Sequence, residues 1–577
     1  MIVNRKPRGF RRNGHRDAIA RRSFPSRSLR SRQPAVWRLS FDSLTTKSGT
    51  TGMADHGHDD LAGFLSNPAS YPEGTSRVER RETHISLVYL TDEFVYKVKK
   101  PVKFDFLDFS TLEARERYCR RELRLNRRLA PDTYLDVLRI TRRQGRLAWG
   151  GDGEAVEYCV QMRRLPQDRM LDHLVRTGQA HQGHVDSLLD LLCPFFEGAP
   201  TSDRISRAAS PTALRSNVRA NFKVLEGLPN HFLPSGVLPR IEAAQLGLLA
   251  LDPELFEART AGGFVRDCHG DLRAEHVCLL EPPVVFDCIE FNDRFRYNDM
   301  VSEICFLAVD LEELGSEDLS QYLLAGYQDR AGDRAQPELV GFYKSYRACV
   351  RAKVEGLRAA ELDFAGTDEQ SRRAAHLLDL ASRAVDGFYR PRVLVTMGLM
   401  GSGKTTVAHA LAGELGMHVL SSDAVRKELT TANGTDAAYG AGIYAPEMAE
   451  QTYLEMFRRA EQLVGQGASV VLDATFKLRR HRGAVRDLAE RAGADVLFVE
   501  CVCPELEAIS RLDRRRRTEQ NLSDARPELY EHQRAEFEPT DELGPKERLV
   551  VDTRSEVPDL TRLILRALRE VALTAHS

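Results

Sequence analysis

With 577 residues the chain exceeds what one hydrophobic core normally serves, so two or more domains are expected. Apolar residues at 42% and charged residues at 29% describe an ordinary soluble globular protein, and no run approaches the roughly eighteen apolar residues of a membrane span. The ten cysteines are scattered without a C-x-x-C pair, which argues against a zinc site or disulfide framework and fits a reducing cytoplasm.

The net charge of −2 conceals an asymmetry. Residues 1 to 52 carry 13 Lys and Arg against Asp17 and Asp42, a net of +11, and the remainder of the chain is therefore at −13. Rich in Arg, Ser, Pro and Gly, this opening stretch reads as a basic, disordered extension over 1–55. Three origins remain open: a nucleic-acid arm, an organellar transit peptide, or an over-extended reading frame upstream of Met53, where acidic and apolar patterning begins.

Residues 56–387 read as strands first, then mostly helices, an α+β arrangement. The segment HISLVYLTDEFVYKVKK alternates apolar and polar residues in two strands about a Thr91-Asp92 turn, and Lys97 and Lys99 share one face of the second strand. A helix follows, with Leu112, Tyr118, Cys119, Leu123 and Leu129 near helical spacing, and then a strand pair ends in VEYCVQMRRL. Further on, CHGDLRAEHVCLL and VVFDCIEFN set Asp271 on a loop, His276 five residues later and Asp287 after an apolar strand. Two carboxylates and a potential metal ligand suit a metal–phosphate site, one carboxylate for the acceptor hydroxyl and one for magnesium.

These motifs resemble the aminoglycoside phosphotransferase and choline kinase branch of the protein-kinase-like fold. The resemblance implies Asp271 as catalytic base, Asp287 as magnesium ligand, Lys97 as phosphate lysine and Glu122, in RELRLNRRL, as its helix partner. Lys99 competes for the lysine role, because sequence does not set the strand register. Asp299 and Glu303 fall where that family places a buried acidic helix start. The chain departs from the pattern at His276, where the family has Asn, and a neutral imidazole is a poorer magnesium ligand than an amide oxygen.

Residues 388–577 alternate strands and helices, which predicts an α/β domain with a parallel sheet and ligands at the carboxyl ends of its strands. The apolar strand VLVTM enters G-x-x-x-x-G-K-T, a P-loop of Gly398, Gly401, Ser402, Gly403, Lys404, Thr405 and Thr406. Its backbone N–H groups, Lys404 and the following helix N-terminus all act on one triphosphate, with Thr405 on magnesium. Asp473, closing the buried strand of ASVVLDATF, is placed for the magnesium shell. Asp423 and Arg426 follow the second strand, where the carboxylate can deprotonate an acceptor hydroxyl and the guanidinium can steady the transferring group. On an arginine-rich segment with helical spacing, Arg511, Arg514 and Arg517 share a face and are candidates for closing over phosphates.

This half resembles the small P-loop kinases that include polynucleotide 5′-hydroxyl kinases, gluconate kinases and zeta-toxin-like kinases, and the absence of N-K-x-D leans towards ATP. The order of the two halves resembles a bacterial family of bifunctional proteins, an aminoglycoside-phosphotransferase-like domain followed by a P-loop kinase domain. That implies an ATP- and Mg2+-dependent phosphotransferase acting on a hydroxyl of a small molecule, with two potential nucleotide sites. A polynucleotide 5′-hydroxyl kinase, disfavoured by the acidic body, and a regulatory protein with a pseudokinase N-terminal half are the alternatives. The acceptor and the oligomeric state are not legible.

Overall fold

The structure, a computed structural model, describes residues 55–104, 107–228, 236–361, 367–432, 446–517 and 530–574. All belong to one compact unit, whose six-stranded and five-stranded sheets are accompanied by three two-stranded ones. The basic stretch 1–52, with every reading of its origin, lies outside the described residues.

The first sheet has six antiparallel strands in the order Glu79–Glu82, Ser86–Leu90, Phe94–Lys99, Glu154–Arg163, Tyr134–Arg143, Arg146–Trp149. The expected hairpin is there: Thr91 closes it, its N–H donating to Phe94 O at 2.8 Å. Alternation sends Tyr89 and Tyr96 to a face covered by Leu65, Tyr71 and Trp149, while Val160 and Tyr134 face the helix Leu112–Asn126. Thr111 caps that helix, its hydroxyl accepting from Ala114 N–H. The helices from Leu171 to Arg383 then build a separate core around Leu189, Phe222, Leu249 and Phe256. In its middle runs Met300–Glu313, buried from Met300 to Leu311 and therefore hydrophobic nearly all round. Asp299 caps this helix and is gripped by Arg259, a structural role for the acidic helix start read from the sequence.

The second sheet has five parallel strands in the order His418–Ser421, Val470–Asp473, Arg392–Met397, Asp495–Val502, Arg548–Asp552. Its central strand is buried at every residue, as a parallel strand covered on both faces must be. One face packs Val407 and Leu411 of helix Lys404–Leu415 with Ile564 and Leu568 of Val557–Thr574. The other packs Met456 and Ala460 of Pro446–Gly465 with Val485 and Leu488 of Arg479–Arg491. The apolar helix Val237–Leu251 lies between the two cores, and its last residue, Leu251, joins the first-named face. Arg215 pairs with Glu414 at the far end of the P-loop helix, and Tyr389 donates to Gly467 O at 2.9 Å.

Candidate functional site

The P-loop connects the buried central strand to the helix Lys404–Leu415, and its glycines answer to contacts as well as to φ. Gly398 has φ +131, and a Cβ there would stand 2.4 Å from Cys501 O; Gly401 has φ +75 with Ala508 O at 2.6 Å from the same position. Gly403, at φ +86, is the N-cap of the helix. Inside the turn Ser402 Oγ is buried with no hydrogen-bond partner, a polar atom left over for a bound anion. Lys404 Nζ donates to Leu399 O at 2.8 Å. Burial pulls its pKa down from the ordinary lysine value, against which Asp473 and, more weakly, Asp423 act, while Arg515 reinforces the fall.

Thr405, at the first turn of the helix, donates to Asp473 Oδ2 at 2.8 Å, and Thr396 donates to Asp473 Oδ1 at 3.1 Å. The parallel register explains the meeting, since Thr396, Asp473 and Ser421 stand in one row across three strands. A hydroxyl beside a carboxylate at a phosphate site fits Mg2+, which takes one or two protein oxygens and keeps waters and phosphates for the rest. Two residues beyond Ser421, Asp423 pairs with Arg426 at 3.2 Å, at the carboxyl edge of the sheet as the strand order requires. Thr406 lies exposed beside Thr405 on the same helix turn.

The arginine-rich helix is Glu505–Arg517. Arg511 is committed elsewhere: its guanidinium bonds Glu507 at 2.8 Å and Thr553 Oγ1 at 2.9 Å. Arg515 of the same helix acts electrostatically on Lys404. Arg514 lies one residue before it on that helix, and the side chain of Arg517 lies outside the described residues. Sequence reasoning also missed Thr396, Thr553 and Gln533; the last accepts Met400 N–H at 2.6 Å and ties the helix Tyr530–Ala535 to the loop. Only the apolar-strand context of Thr396 carried any signal.

In the first half the two lysines of Phe94–Lys99 converge on one carboxylate. Lys97 Nζ lies 2.9 Å from Glu122 Oε1 and 2.6 Å from Asp287, and Lys99 Nζ lies 2.7 Å from Glu122 Oε2 and also pairs with Glu290. Lys99 and Glu122 are wholly buried, whereas Lys97 faces Asp287, whose side chain is 41% exposed. Glu290 had no motif to announce it. Burial would raise the Glu122 carboxyl, but Lys97 and Lys99 hold it below its ordinary value. Withdrawal into the cleft would likewise raise Asp287, yet Lys97 and then His276 hold it well below the carboxylate range.

Asp287 has φ +63, a left-handed backbone uncommon for a non-glycine residue and met most often at functional turns. Gly270 of the HGD loop, at φ +91, gives its N–H to Glu303 at 3.1 Å, so Glu303 holds the loop that carries Asp271. His276 stands between the two acidic site residues. Its Nδ1 is 2.9 Å from Asp271 O and 3.5 Å from Asp271 Oδ2, and its Nε2 is 3.7 Å from Asp287 Oδ2. Among the described residues no three His, Cys, Asp or Glu side chains are spaced to hold a metal. Lys97 already takes the Asp287 carboxylate, and between the two carboxylates stands an imidazole, a poorer magnesium ligand than an oxygen donor, so the donor set does not fit Mg2+ here.

Two matches to known proteins accompany this geometry. Residues 393–540 match the AAA domain family model. Over 428 residues the chain is 34% identical to the uncharacterized protein Rv2004c of Mycobacterium tuberculosis strain H37Rv, a match covering 74% of this chain and 83% of that one. The chain belongs to the family of that mycobacterial protein. Among solved structures, a sugar kinase from Janibacter sp. is 24% identical, covering 32% of this chain and 98% of its own at a TM-score of 0.25. A choline/ethanolamine kinase family protein from Mesorhizobium loti is 16% identical, covering 56% and 98% at 0.33. This family member carries an α+β half with an antiparallel sheet, followed by a half with a parallel sheet and the P-loop, in the order read from the sequence. Among the described residues no helix is long and apolar enough to cross a membrane, and all ten cysteines are free thiols.

Proposed function

We propose that the chain is an ATP- and Mg2+-dependent phosphotransferase acting on a hydroxyl of a small molecule, with the P-loop half, roughly residues 388–577, as the transferring domain. The observation that carries the reading is the row at the carboxyl edge of the sheet: Lys404 in the loop, Thr405 on Asp473, and the Asp423–Arg426 pair one strand over. Lys404 and the loop amides cradle the β- and γ-phosphates, and Thr405 with Asp473 holds Mg2+, which supplies charge neutralisation when bound. Asp423 takes the proton of the acceptor hydroxyl as its oxygen bonds the γ-phosphorus and the bridging P–O bond to ADP breaks. Arg426 and an arginine of the Glu505–Arg517 helix, Arg514 or Arg515, meet the charge on the phosphoryl oxygens.

For the first half, roughly 56–387, His276 favours a second reading. With Asp271 and Asp287 already partnered by an imidazole and Lys97, this lobe binds a ligand without transferring phosphate. Transfer of label from γ-labelled ATP to a panel of hydroxyl metabolites and to a 5′-hydroxyl oligonucleotide tests both readings. Loss of transfer in Lys404→Ala with retention in Asp271→Ala is the expected result. Full transfer in Lys404→Ala would sink the first reading, and loss in Asp271→Ala the second.

A further inference from the structure

We infer that Tyr453 is a positioning residue for phosphoryl transfer, fixing the turn that sets the Thr475 hydroxyl between the acceptor carboxylate and the phosphate loop. The inference rests on the P-loop reading above. Thr396, Asp473 and Ser421 form one register row; past it the strand of Thr396 enters the loop at Gly398, the strand of Asp473 leads to Thr475, and the helix Ser422–Ala432 opens with Asp423 in its first turn. Thr475 thus follows the middle strand of the three, between the strand that leads to the P-loop and the strand that leads to Asp423. Its carbonyl accepts Gly398 N–H at 3.2 Å, so the turn and the loop are tied directly.

The turn is not one the backbone adopts freely. Phe476 has φ +46, and a bulky residue in the left-handed region persists only where its surroundings over-determine it. Tyr453 supplies that determination. Its oxygen accepts Phe476 N–H at 3.0 Å and lies 3.3 Å from Thr475 Oγ1. With the phenol oxygen accepting from Phe476, the phenol proton is available to Thr475, and the Thr475 proton is then free to donate to an oxygen bound in the row. The ring has no room to move, being stacked on His481 at 3.8 Å and meeting Phe476 edge-on at 5.3 Å. Glu450 in turn holds His481 Nε2 at 3.1 Å. Asp423 and Arg426 both act electrostatically on the Tyr453 hydroxyl, so the tyrosine, the acceptor pair and the strained turn form one neighbourhood.

Donors fixed in place before reaction are worth most where charge develops in the transition state, and least towards the ground state. The test is calorimetric titration of the full-length chain with MgADP, with and without aluminium fluoride as a mimic of the transferring phosphoryl group. Tyr453→Phe keeps the ring and deletes the oxygen. We expect its MgADP affinity to stay within about twofold of wild type, its Tm to fall by only a few degrees for the lost Phe476 N–H bond, and the affinity gained from aluminium fluoride to fall at least ~10-fold, or ~1.4 kcal/mol. Thr475→Val should lose a similar amount, and the double variant little more, because both deletions break one hydroxyl pair. An equal fluoride-dependent gain in wild type and Tyr453→Phe, a zero gain in both included, overturns the inference. So does a fall of MgADP affinity as large as that of the fluoride complex, the mark of a merely structural tyrosine. Undiminished MgADP binding in Lys404→Ala would instead overturn the P-loop reading itself.

Discussion

Lys97 Nζ lies 2.9 Å from Glu122 Oε1 while the other oxygen of the same carboxylate takes Lys99 at 2.7 Å, so one buried Glu bridges two ammonium groups whose other partners are Asp287 and Glu290. Neutralising Glu122 takes a charged hydrogen-bond acceptor from each lysine, while Asp287 stays on Lys97 and Glu290 on Lys99. Glu122→Gln should lower unfolding free energy by ~2 kcal/mol in urea titrations. An unchanged midpoint would mean that Asp287 and Glu290 suffice for the two lysines.

Gly401→Ala should be more damaging than its size suggests. The new methyl would meet Ala508 O at 2.6 Å, and its φ of +75 disfavours any L side chain. A loss of ~2 kcal/mol in stability and of measurable MgATP binding by calorimetry is expected.

Asp423→Asn separates binding from chemistry. The amide preserves the size of the side chain but accepts no proton, so MgATP affinity should stay near wild type while transfer falls ~100-fold or more. Steady-state kinetics with a confirmed acceptor check this, and a fall confined to KM for ATP would remove Asp423 from the base role.

The junction between the two cores carries a pH signature. Burial, and then the neighbouring Glu226, push the Glu242 carboxyl up to about 7 from an ordinary 4.5, against a smaller opposing pull from Arg219. The folded state therefore binds the extra proton between those values, and stability falls as pH rises from about 4.5 to 7 and stays reduced above. Glu242→Gln should raise Tm by ~2 °C at pH 8 and leave it unchanged near pH 4.5 in calorimetric scans.

Much of the P-loop half was legible because its signals are contiguous. One short stretch contains the strand, the glycines, Lys404 and Thr405, and local patterning alone located the helix and its Gly416 C-cap, found at φ +63. The hairpin of the first half was readable for the same reason, since alternation and turn residues lie side by side. Lys97 and Lys99 were not separable, because residues two apart on a strand point the same way and only depth distinguishes them. Register and packing resolved them, placing Lys99 in the core with Glu290 and Lys97 at the mouth with Asp287.

By itself the sequence determined what local chemistry determines: two domain patterns in order, a phosphate-binding loop, and a short set of acids and bases near it. Tertiary structure alone decided the relationships. Thr405 meets Asp473 across 68 residues because parallel strands bring their ends into one row, and Arg511 turns away to Thr553 because a helix face is filled by whatever packs against it. His276 comes between Asp271 and Asp287 because the loop after Asp271 and the end of the strand before Asp287 pack side by side, Phe286 N–H donating to His276 O at 3.0 Å. Distances between residues remote in sequence depend on the packing of whole elements, and no local pattern encodes them.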